Sequence, residues 1–219
     1  MRLTTALEAL LIERSRPILE RTLSAHEVDA FTKYLALIVR WQRAHRLVGS
    51  IEPKWLVENV LLDSLQFLRV LPPAIESMAD LGSGAGLPGI PIKIVRPELR
   101  VTLIESRERR ASFLAAVIRE LGLQGCRVVA DRAEVAADVA VYDAVVMRCA
   151  GDLEELVPVA ARLTKPGGSV IASGPPRVRA APLGSMPLEW VEVPRAIGTR
   201  RFAVYRKPHQ DRKPHQDSQ

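Results

Sequence analysis

The ten residues Asp80–Gly89, with the sequence Asp-Leu-Gly-Ser-Gly-Ala-Gly-Leu-Pro-Gly, decide how this chain folds. They follow a short apolar run and lead into Ile90–Val95, so the pattern predicts a strand that turns sharply into a helix. Gly82, Gly84 and Gly86 let the backbone turn tightly and let a ligand lie against the main chain. A strand, a glycine turn and a helix N-terminus together predict a site for a nucleotide-type cofactor.

Two classes of cofactor fit this turn. The pattern Gly84-x-Gly86-x-x-Gly89 matches the dinucleotide fingerprint, and Glu105 lies at roughly the expected distance of twenty residues. Asp80, two positions before the first glycine, is instead typical of an S-adenosylmethionine turn. Its carboxylate would repel a pyrophosphate but favours a ligand with an ammonium and a sulfonium. We therefore predict S-adenosylmethionine over a nicotinamide or flavin dinucleotide, and the third interpretation is a turn without a ligand.

The composition is that of an ordinary globular protein. The chain has 219 residues, of which 47% are hydrophobic and 26% charged, which is enough apolar material for a core. It contains no apolar run of membrane-spanning length and no signal-peptide pattern, so we expect a cytoplasmic protein without a membrane partner. Two cysteines, Cys126 and Cys149, and four scattered histidines predict neither a disulfide framework nor a metal site.

Positive charge is concentrated on the two flanks of the chain. Residues 1–75 hold ten Lys or Arg against eight Asp or Glu, residues 76–173 hold twelve against thirteen, and residues 174–219 hold nine against four. This distribution favours a polyanionic partner such as RNA, although a high isoelectric point alone also fits proteins that bind none.

The sequence of residues 1–73 predicts a helical cap. Leucines recur at helical spacing in the first helix, and Ser24 with Glu27 forms a capping box at the start of a second. A third helix is predicted over 55–68. No strand pattern occurs in this region.

From residue 74 to residue 206 strands and helices alternate. We predict an α/β fold with a doubly wound, mostly parallel seven-stranded sheet that is Rossmann-like and ends in a hairpin. Ser106 is predicted to cap the helix that ends at Gly122, and Asp152 the next one. The predicted strands are 78–81, 101–105, 127–130, 142–147, 169–173, 189–193 and 201–206.

The C-terminal tail, residues 207–219, differs from the rest of the chain. The hexapeptide Arg-Lys-Pro-His-Gln-Asp at 206–211 is repeated at 212–217. Because this polar, proline-containing repeat cannot bury apolar area, we expect it to be disordered.

Polar residues at the ends of the predicted strands supply candidate ligands for the cofactor, since ligands of doubly wound folds bind there. Glu105 ends the second strand and can accept both hydroxyls of a ribose. The segment Asp131-Arg132-Ala133-Glu134 follows the third strand and can reach an adenine ring, and Arg148 ends the fourth and can hold a carboxylate or phosphate. The plainer alternatives are a helix-start acid, a surface turn and a surface arginine.

Several of these residues recur in the same order in one protein family. The chain resembles the RsmG (glucose-inhibited division protein B) methyltransferases over roughly residues 35–206. The resemblance implies a class I methyltransferase that acts on guanine N7 of bacterial small-subunit ribosomal RNA, with cofactor contacts from Gly82, Leu87, Ala133, Glu134 and Arg148. The residues that carry it are Trp41 with Leu47, Leu62-Asp63-Ser64, Asp80–Pro91, Ile94-Val95-Arg96-Pro97-Glu98, Ala133-Glu134 and Arg148.

The chain departs from the family pattern at three places. Arg46-Leu47-Val48 stands where the family usually has Asn-Leu-Thr, Val60 where it has His, and Ser173-Gly174 where it has Lys-Gly. These changes spare the cofactor end and affect the RNA end. The alternatives are therefore a methyltransferase for another RNA or a small molecule, and a cofactor-binding module without activity.

Guanine N7 carries an exposed lone pair, so its methylation needs no deprotonation and we expect no catalytic base. Asp63 and Arg148 are the candidates for shaping the pocket of the target base. We expect a monomer whose partner is small-subunit ribosomal RNA or the small ribosomal subunit. Two groups of arginines are expected to face this RNA: Arg40, Arg43 and Arg46, and Arg107, Arg109 and Arg110.

Overall fold

The computed structural model describes residues 3–135, 139–148, 152–173, 186–195 and 198–209. Its strands form one seven-stranded sheet in the order β3-β2-β1-β4-β5-β7-β6. The strands are β1 (Ser77–Leu81), β2 (Arg100–Ile104), β3 (Cys126–Val129), β4 (Tyr142–Arg148), β5 (Thr164–Ser173), β6 (Glu189–Pro194) and β7 (Thr199–Arg206). The helices are α1 (Thr5–Leu19), α2 (Ala25–His45), α3 (Pro53–Leu56), α4 (Asp63–Leu65), α5 (Gly89–Val95), α6 (Glu108–Leu121) and α7 (Leu153–Leu163).

The first five strands are parallel, and β7 is antiparallel to both β5 and β6. All five residues of β1 are buried, as expected for a central strand covered on both faces. The chain moves from β1 outward to β2 and β3, then crosses to β4 on the other side of β1. This reversal of strand order creates a crevice at the carboxyl end of β1, where the glycine turn begins. The predicted doubly wound fold with a C-terminal hairpin is confirmed.

The N-terminal helices pack against α5 and α6. The predicted capping box is present, because Ser24 Oγ accepts from Glu27 N and Glu27 Oε2 accepts from Ser24 N. Phe67 lies edge-on to Phe202 of β7, with 4.8 Å between ring centroids. Buried side chains of the cap and of the sheet thus form one continuous hydrophobic cluster. Within the described residues, no helix combines the length and apolarity needed to cross a membrane.

The third predicted helix is not a single α-helix. Its central part, Val57–Leu62, is π-helical, and Gln66–Arg69 is a 3₁₀ turn. The π-helical turn ends at Asp63, whose Oδ2 lies 3.3 Å from Arg148 Nη2 at the end of β4. Such turns interrupt α-helices frequently at functional sites.

Two smaller differences concern the core. Ser106 does not cap α6, because Arg107 occupies the N-cap position and its N–H donates to Glu105 Oε1 at 2.8 Å. Strand β5 begins at Thr164, before the predicted start at Ser169. The predicted helix end at Gly122 and the predicted cap Asp152 are both confirmed.

The start of the tail pairs with the sheet. Lys207 exchanges backbone hydrogen bonds with Gly167 and Gly168, and its Nζ donates to the carbonyl oxygens of Ala161 and Thr164. The predicted disorder of the repeated hexapeptide mostly lies outside the described residues, because these end at residue 209.

Asp143 at the start of β4 gives a pH-dependent contribution to stability. Partial burial raises its pKa, but hydrogen bonds from Lys165, Ser77 and the backbone of Glu76 outweigh this effect and lower the pKa from 3.8 to about 2. Because the pKa of Asp143 is lower in the folded protein than in the unfolded chain, its carboxylate stabilises the fold when the pH is above the unfolded-state pKa. This contribution disappears as the pH falls through the folded-state pKa. We expect wild type to exceed Asp143→Asn in unfolding free energy by about 2 kcal/mol at neutral pH. Chemical denaturation should show this difference shrinking between about pH 4 and pH 2, and a constant difference would contradict the assignment.

Candidate cofactor site

Three hydrogen bonds from two sides fix the glycine turn. The N–H groups of Gly82 and Ser83 donate to the carbonyl oxygen of Ile104, at 2.9 and 3.1 Å. On the other side, the hydroxyl of Tyr34, fully buried in α2, donates to the carbonyl oxygen of Ala85 at 2.6 Å. The turn therefore has a set shape at the carboxyl ends of β1 and β2, with the helical cap holding its outer part.

Asp80 is completely buried beneath this turn. Its Oδ2 accepts from Gly89 N at 2.9 Å, which joins the end of β1 to the start of α5. Its Oδ1 is also buried and has no hydrogen-bond partner among the described residues. Burial raises the pKa of Asp80 to about 7, although the Gly89 N–H and the charge of Arg148 act to lower it. A buried oxygen without a donor requires an explanation, and the ammonium of an S-adenosylmethionine ligand would supply the missing donor.

Glu105 follows β2 and is 5% exposed. Its Oε2 accepts from Gly84 N and its Oε1 from Arg107 N, both at 2.8 Å. Each carboxylate oxygen has a second acceptor position, so both remain able to accept the ribose hydroxyls. Glu105 thus holds the glycine turn, and its role at the ribose stays a prediction.

A cleft of about 170 Å³ lies beside Gly82 at this end of the sheet. Leu81, Ile104 and Leu156 provide apolar walls, and the segment that contains Ala133 and Glu134 closes one side. Flat apolar walls with a polar rim suit an adenine ring. The residues present therefore fit S-adenosylmethionine: Asp80 could accept a hydrogen bond from its ammonium, and this cleft could hold its adenosine.

Arg162 of α7 holds the closing segment and was missed by sequence reasoning. Its Nη2 donates to the carbonyl oxygens of Ala133 and Glu134, at 2.8 and 2.9 Å. Both acceptors are backbone atoms, so no residue pattern could have indicated the contact. Leu87 packs against the main hydrophobic cluster, and its N–H donates to the carbonyl oxygen of Ser83 at 2.9 Å.

Asp63 and Arg148, predicted to shape one pocket, are in contact. Arg148 donates through Nη1 to Ser64 Oγ at 2.9 Å and through Nη2 to the Asn59 carbonyl at 2.6 Å. Its Nη2 also lies 3.3 Å from Asp63 Oδ2. The end of β4 is thereby tied to the π-helical turn of the cap.

Two further arginines surround Asp63, which is 4% exposed. Arg195 Nη1 donates to Asp63 Oδ1 at 2.9 Å, and Arg200 Nη2 lies 3.4 Å from Asp63 Oδ2. Both come from the hairpin of β6 and β7, and sequence reasoning missed them. The Asp63 cluster, meaning Asp63 with Arg148, Arg195 and Arg200, places one acid among three bases beside the cofactor site.

The three family departures lie in different parts of the cap and the sheet. Arg46 is an exposed residue at the C-terminus of α2 with a φ of 45°, and Val60 is completely buried in the π-helical turn. Ser173 ends β5, and its Oγ accepts from Arg200 Nη2 at 2.8 Å. The serine at the third departure is therefore a partner of the Asp63 cluster.

The two predicted groups of arginines lie on neighbouring helices. Helix α2 packs against α6, and Trp41 meets Phe113 edge-on between them. An added Cβ at Gly84 would lie 3.7 Å from Arg110 Nη1, so the basic start of α6 adjoins the glycine turn. Arg40 is paired with Glu120, whereas Arg46, Arg107 and Arg109 are exposed.

Alanine substitutions at Gly84 and Gly86 should lower the free energy of unfolding by different amounts. At Gly84, φ is +57° and an added Cβ meets no atom closer than 3.7 Å, so Gly84→Ala should cost about 1–2 kcal/mol of backbone strain. At Gly86, φ is +90° and the Cβ would lie 2.5 Å from Ile90 Cγ1. Gly86→Ala should therefore cost about 1–3 kcal/mol more through overpacking. Urea unfolding of both variants tests this order, and equal losses would contradict it.

Comparison with known proteins places the chain in a family. Residues 27–174 match the family model described as rRNA small subunit methyltransferase G. The chain is 38% identical over 203 residues to ribosomal RNA small subunit methyltransferase G of Xanthomonas axonopodis pv. citri, covering 86% of this chain and 93% of that one. The corresponding protein of Xylella fastidiosa is 37% identical over 183 residues, covering 80% and 84%.

Solved structures share the fold. A SAM-dependent methyltransferase from Aquifex aeolicus has a TM-score of 0.52 at 17% identity, covering 71% of this chain and 93% of that one. The N-methyltransferase NodS from Bradyrhizobium japonicum has a TM-score of 0.51 at 15% identity, covering 67% and 95%. These likenesses confirm the predicted class I methyltransferase fold, and the sequence matches give the identity: this chain belongs to the rRNA small subunit methyltransferase G family.

Proposed function

We propose that this protein transfers the methyl group of S-adenosylmethionine to N7 of a guanine in small-subunit ribosomal RNA. The observation that carries the proposal is the extent of the family match, which spans both the glycine turn and Arg148. The arrangement around Asp80 and Glu105 supports the cofactor, because it presents one buried acceptor for an ammonium and two acceptors for a ribose.

The chain's own residues would act by positioning. S-adenosylmethionine supplies an electrophilic methyl group on a sulfonium, and guanine N7 supplies an exposed lone pair. Asp80 holds the amino acid end of the cofactor, and Glu105 with the segment at Ala133 holds its adenosine end. Fixing both reactants for in-line attack removes most of the entropic barrier of a bimolecular reaction.

The exposed arginines beside the glycine turn would bind RNA phosphates. Arg46 is exposed at the end of α2, and Arg107 and Arg109 are exposed at the start of α6, which adjoins the glycine turn. Neutralised phosphates release counterions, so RNA affinity should fall steeply with salt, whereas a small neutral substrate would show little salt dependence.

Transfer of a radiolabelled methyl group tests the proposal. Purified protein, first shown by calorimetry to bind S-adenosylhomocysteine, is incubated with small ribosomal subunits, naked small-subunit RNA and large-subunit RNA. We expect label in at least one small-subunit sample and none in the large-subunit sample. Tight cofactor binding without transfer to either small-subunit sample would overturn the proposal and favour a small-molecule methyltransferase or an inactive binding module.

We further propose that the protein acts as a monomer in the cytoplasm, where ribosomal subunits are assembled. One chain supplies every site residue named above, so the proposed reaction needs no second copy. Light scattering should give a mass near 24.2 kDa. A concentration-independent dimer mass would contradict the monomer.

A further inference from the structure

The side chain of Arg162, in α7, holds the segment that closes the cleft beside Gly82. Its Nη2 donates to the carbonyl oxygens of Ala133 and Glu134, at 2.8 and 2.9 Å. Ala133 and Glu134 line this cleft, whereas Arg162 is not one of the described residues that line it. Arg162 therefore acts on a bound cofactor through this segment and not by direct contact.

The main chain of Arg162 binds the same connection between β3 and β4 at its other end. The Arg162 carbonyl oxygen accepts from Ala140 N, and the Leu163 carbonyl oxygen accepts from Val141 N, both at 3.0 Å. Val141 directly precedes β4. These backbone bonds do not depend on the side chain at position 162. A substitution of Arg162 therefore releases the cleft side of the connection while its return to the sheet stays anchored.

Apolar burial alone does not orient the segment. Ala133 is 6% exposed and belongs to the same hydrophobic cluster as Val157 and Ala161 of α7. The hydrophobic effect is non-directional, so this burial brings the segment against α7 without fixing the direction of its peptide groups. Hydrogen bonds are directional, and the two from Arg162 fix the direction of the Ala133 and Glu134 carbonyls.

The direction of the Ala133 carbonyl determines that of a neighbouring donor. This carbonyl and the N–H of Glu134 belong to one peptide group, which is trans. In a trans peptide the carbonyl oxygen and the N–H point in opposite directions. Because Arg162 binds the oxygen, the Glu134 N–H points away from Arg162. A backbone donor with a fixed direction in the lining of the cleft can read the polar edge of a base.

We propose that Arg162 is a positioning residue that makes the cofactor site specific for adenine. At the polar edge of adenine, N1 accepts a hydrogen bond and the N6 amine donates one. Hypoxanthine reverses both groups, because its N1 carries a hydrogen and its O6 accepts. A backbone held in one direction matches one of these patterns, whereas a segment that is free to turn adapts to either. The inference rests on the proposed function only through cofactor binding and does not depend on the RNA substrate.

Calorimetric titration with two ligands tests the inference. The ligands are S-adenosylhomocysteine and S-inosylhomocysteine, which has hypoxanthine in place of adenine. Wild type should bind S-adenosylhomocysteine more tightly by about tenfold or more. Arg162→Met should bind S-adenosylhomocysteine about tenfold more weakly than wild type and S-inosylhomocysteine equally well, so that the preference disappears. Arg162→Lys keeps a charged donor and should give an intermediate preference.

The matched control is Arg119→Met, which removes the same groups from an exposed position near the end of α6. Both of its affinities should equal those of wild type. A purely structural role for Arg162 would weaken the binding of both ligands by the same factor, and that result would overturn the proposal. An unchanged preference in Arg162→Met, or the absence of any preference in wild type, would also overturn it.

Steady-state methyl transfer gives a second measurement. In Arg162→Met, KM for S-adenosylmethionine should rise about tenfold while kcat and KM for small-subunit RNA stay close to wild type, because adenine is held equally in the ground state and the transition state. No label transfer by wild type would refute the proposed reaction, and the binding comparison would still decide the role of Arg162. Label transfer by wild type with an unchanged KM in Arg162→Met would refute that role and leave the proposed reaction standing.

Discussion

Asp63→Asn should lower the free energy of unfolding by about 3 kcal/mol, because removing one member of a buried ion pair leaves the other charge uncompensated. Three arginines surround the Asp63 carboxylate, and their side chains are 15–32% exposed. Their partial exposure moderates the loss, so the lower end of the range for a broken buried pair applies. Methyl transfer should also fall, since Arg148 loses the acid that fixes it beside the cofactor site.

Urea denaturation measures this effect. The control is Asp29→Asn, which breaks an exposed ion pair with Lys33 and should change stability by at most about 0.5 kcal/mol. If Asp63→Asn unfolded at the same urea concentration as this control, the Asp63 cluster would not support the fold in the way we describe.

Glu105→Ala should weaken S-adenosylhomocysteine binding by about 1–3 kcal/mol, the range for hydrogen bonds to a charged group. The substitution removes the predicted acceptors of the ribose hydroxyls. It also frees the N–H groups of Gly84 and Arg107, which shape the turn and the start of α6. Calorimetric titration measures the loss.

Glu108→Ala provides a matched control for Glu105→Ala. Glu108 is exposed in the first turn of α6, so its removal should leave cofactor affinity nearly unchanged. Equal affinities for Glu105→Ala and wild type would show that Glu105 does not bind the ribose.

Local patterns made most of the fold predictable. The capping box at Ser24, the helix end at Gly122 and the cap at Asp152 each depend on residues within one turn of one another. The alternation of strands and helices predicted the parallel sheet. The glycine turn identified β1, the strand at which the strand order reverses. The π-helical turn at Val57–Leu62 was not predictable, because its apolar residues also fit an α-helix. Its hydrogen bond from Arg148 joins residues that are far apart in the chain.

In the candidate site, too, residues with a local sequence signal were predicted and residues brought together by distant contacts were not. Asp80, Glu105 and Arg148 were predicted because each stands at the end of a predicted strand. Arg195 and Arg200 were not, because they approach Asp63 from a hairpin far along the chain and no short sequence pattern encodes that contact. The prediction that Ser106 caps α6 was wrong for a related reason. Arg107 occupies the N-cap position, and its N–H donates to the Glu105 carboxylate.

The contacts of Tyr34 and Arg148 link the helical cap to the candidate cofactor site. Tyr34 holds the glycine turn through the Ala85 carbonyl, and Arg148 joins the end of β4 to Asn59 and Ser64. The cap therefore supports the candidate cofactor site.

Chain cleavage at N7-methylguanine tests the central claim most directly. Small subunits incubated with this protein and S-adenosylmethionine are extracted, and the RNA is treated with borohydride and aniline, which break the chain at N7-methylguanine. We predict one new cleavage site in the small-subunit RNA. Methyl label in the RNA without a new cleavage site would contradict modification at guanine N7.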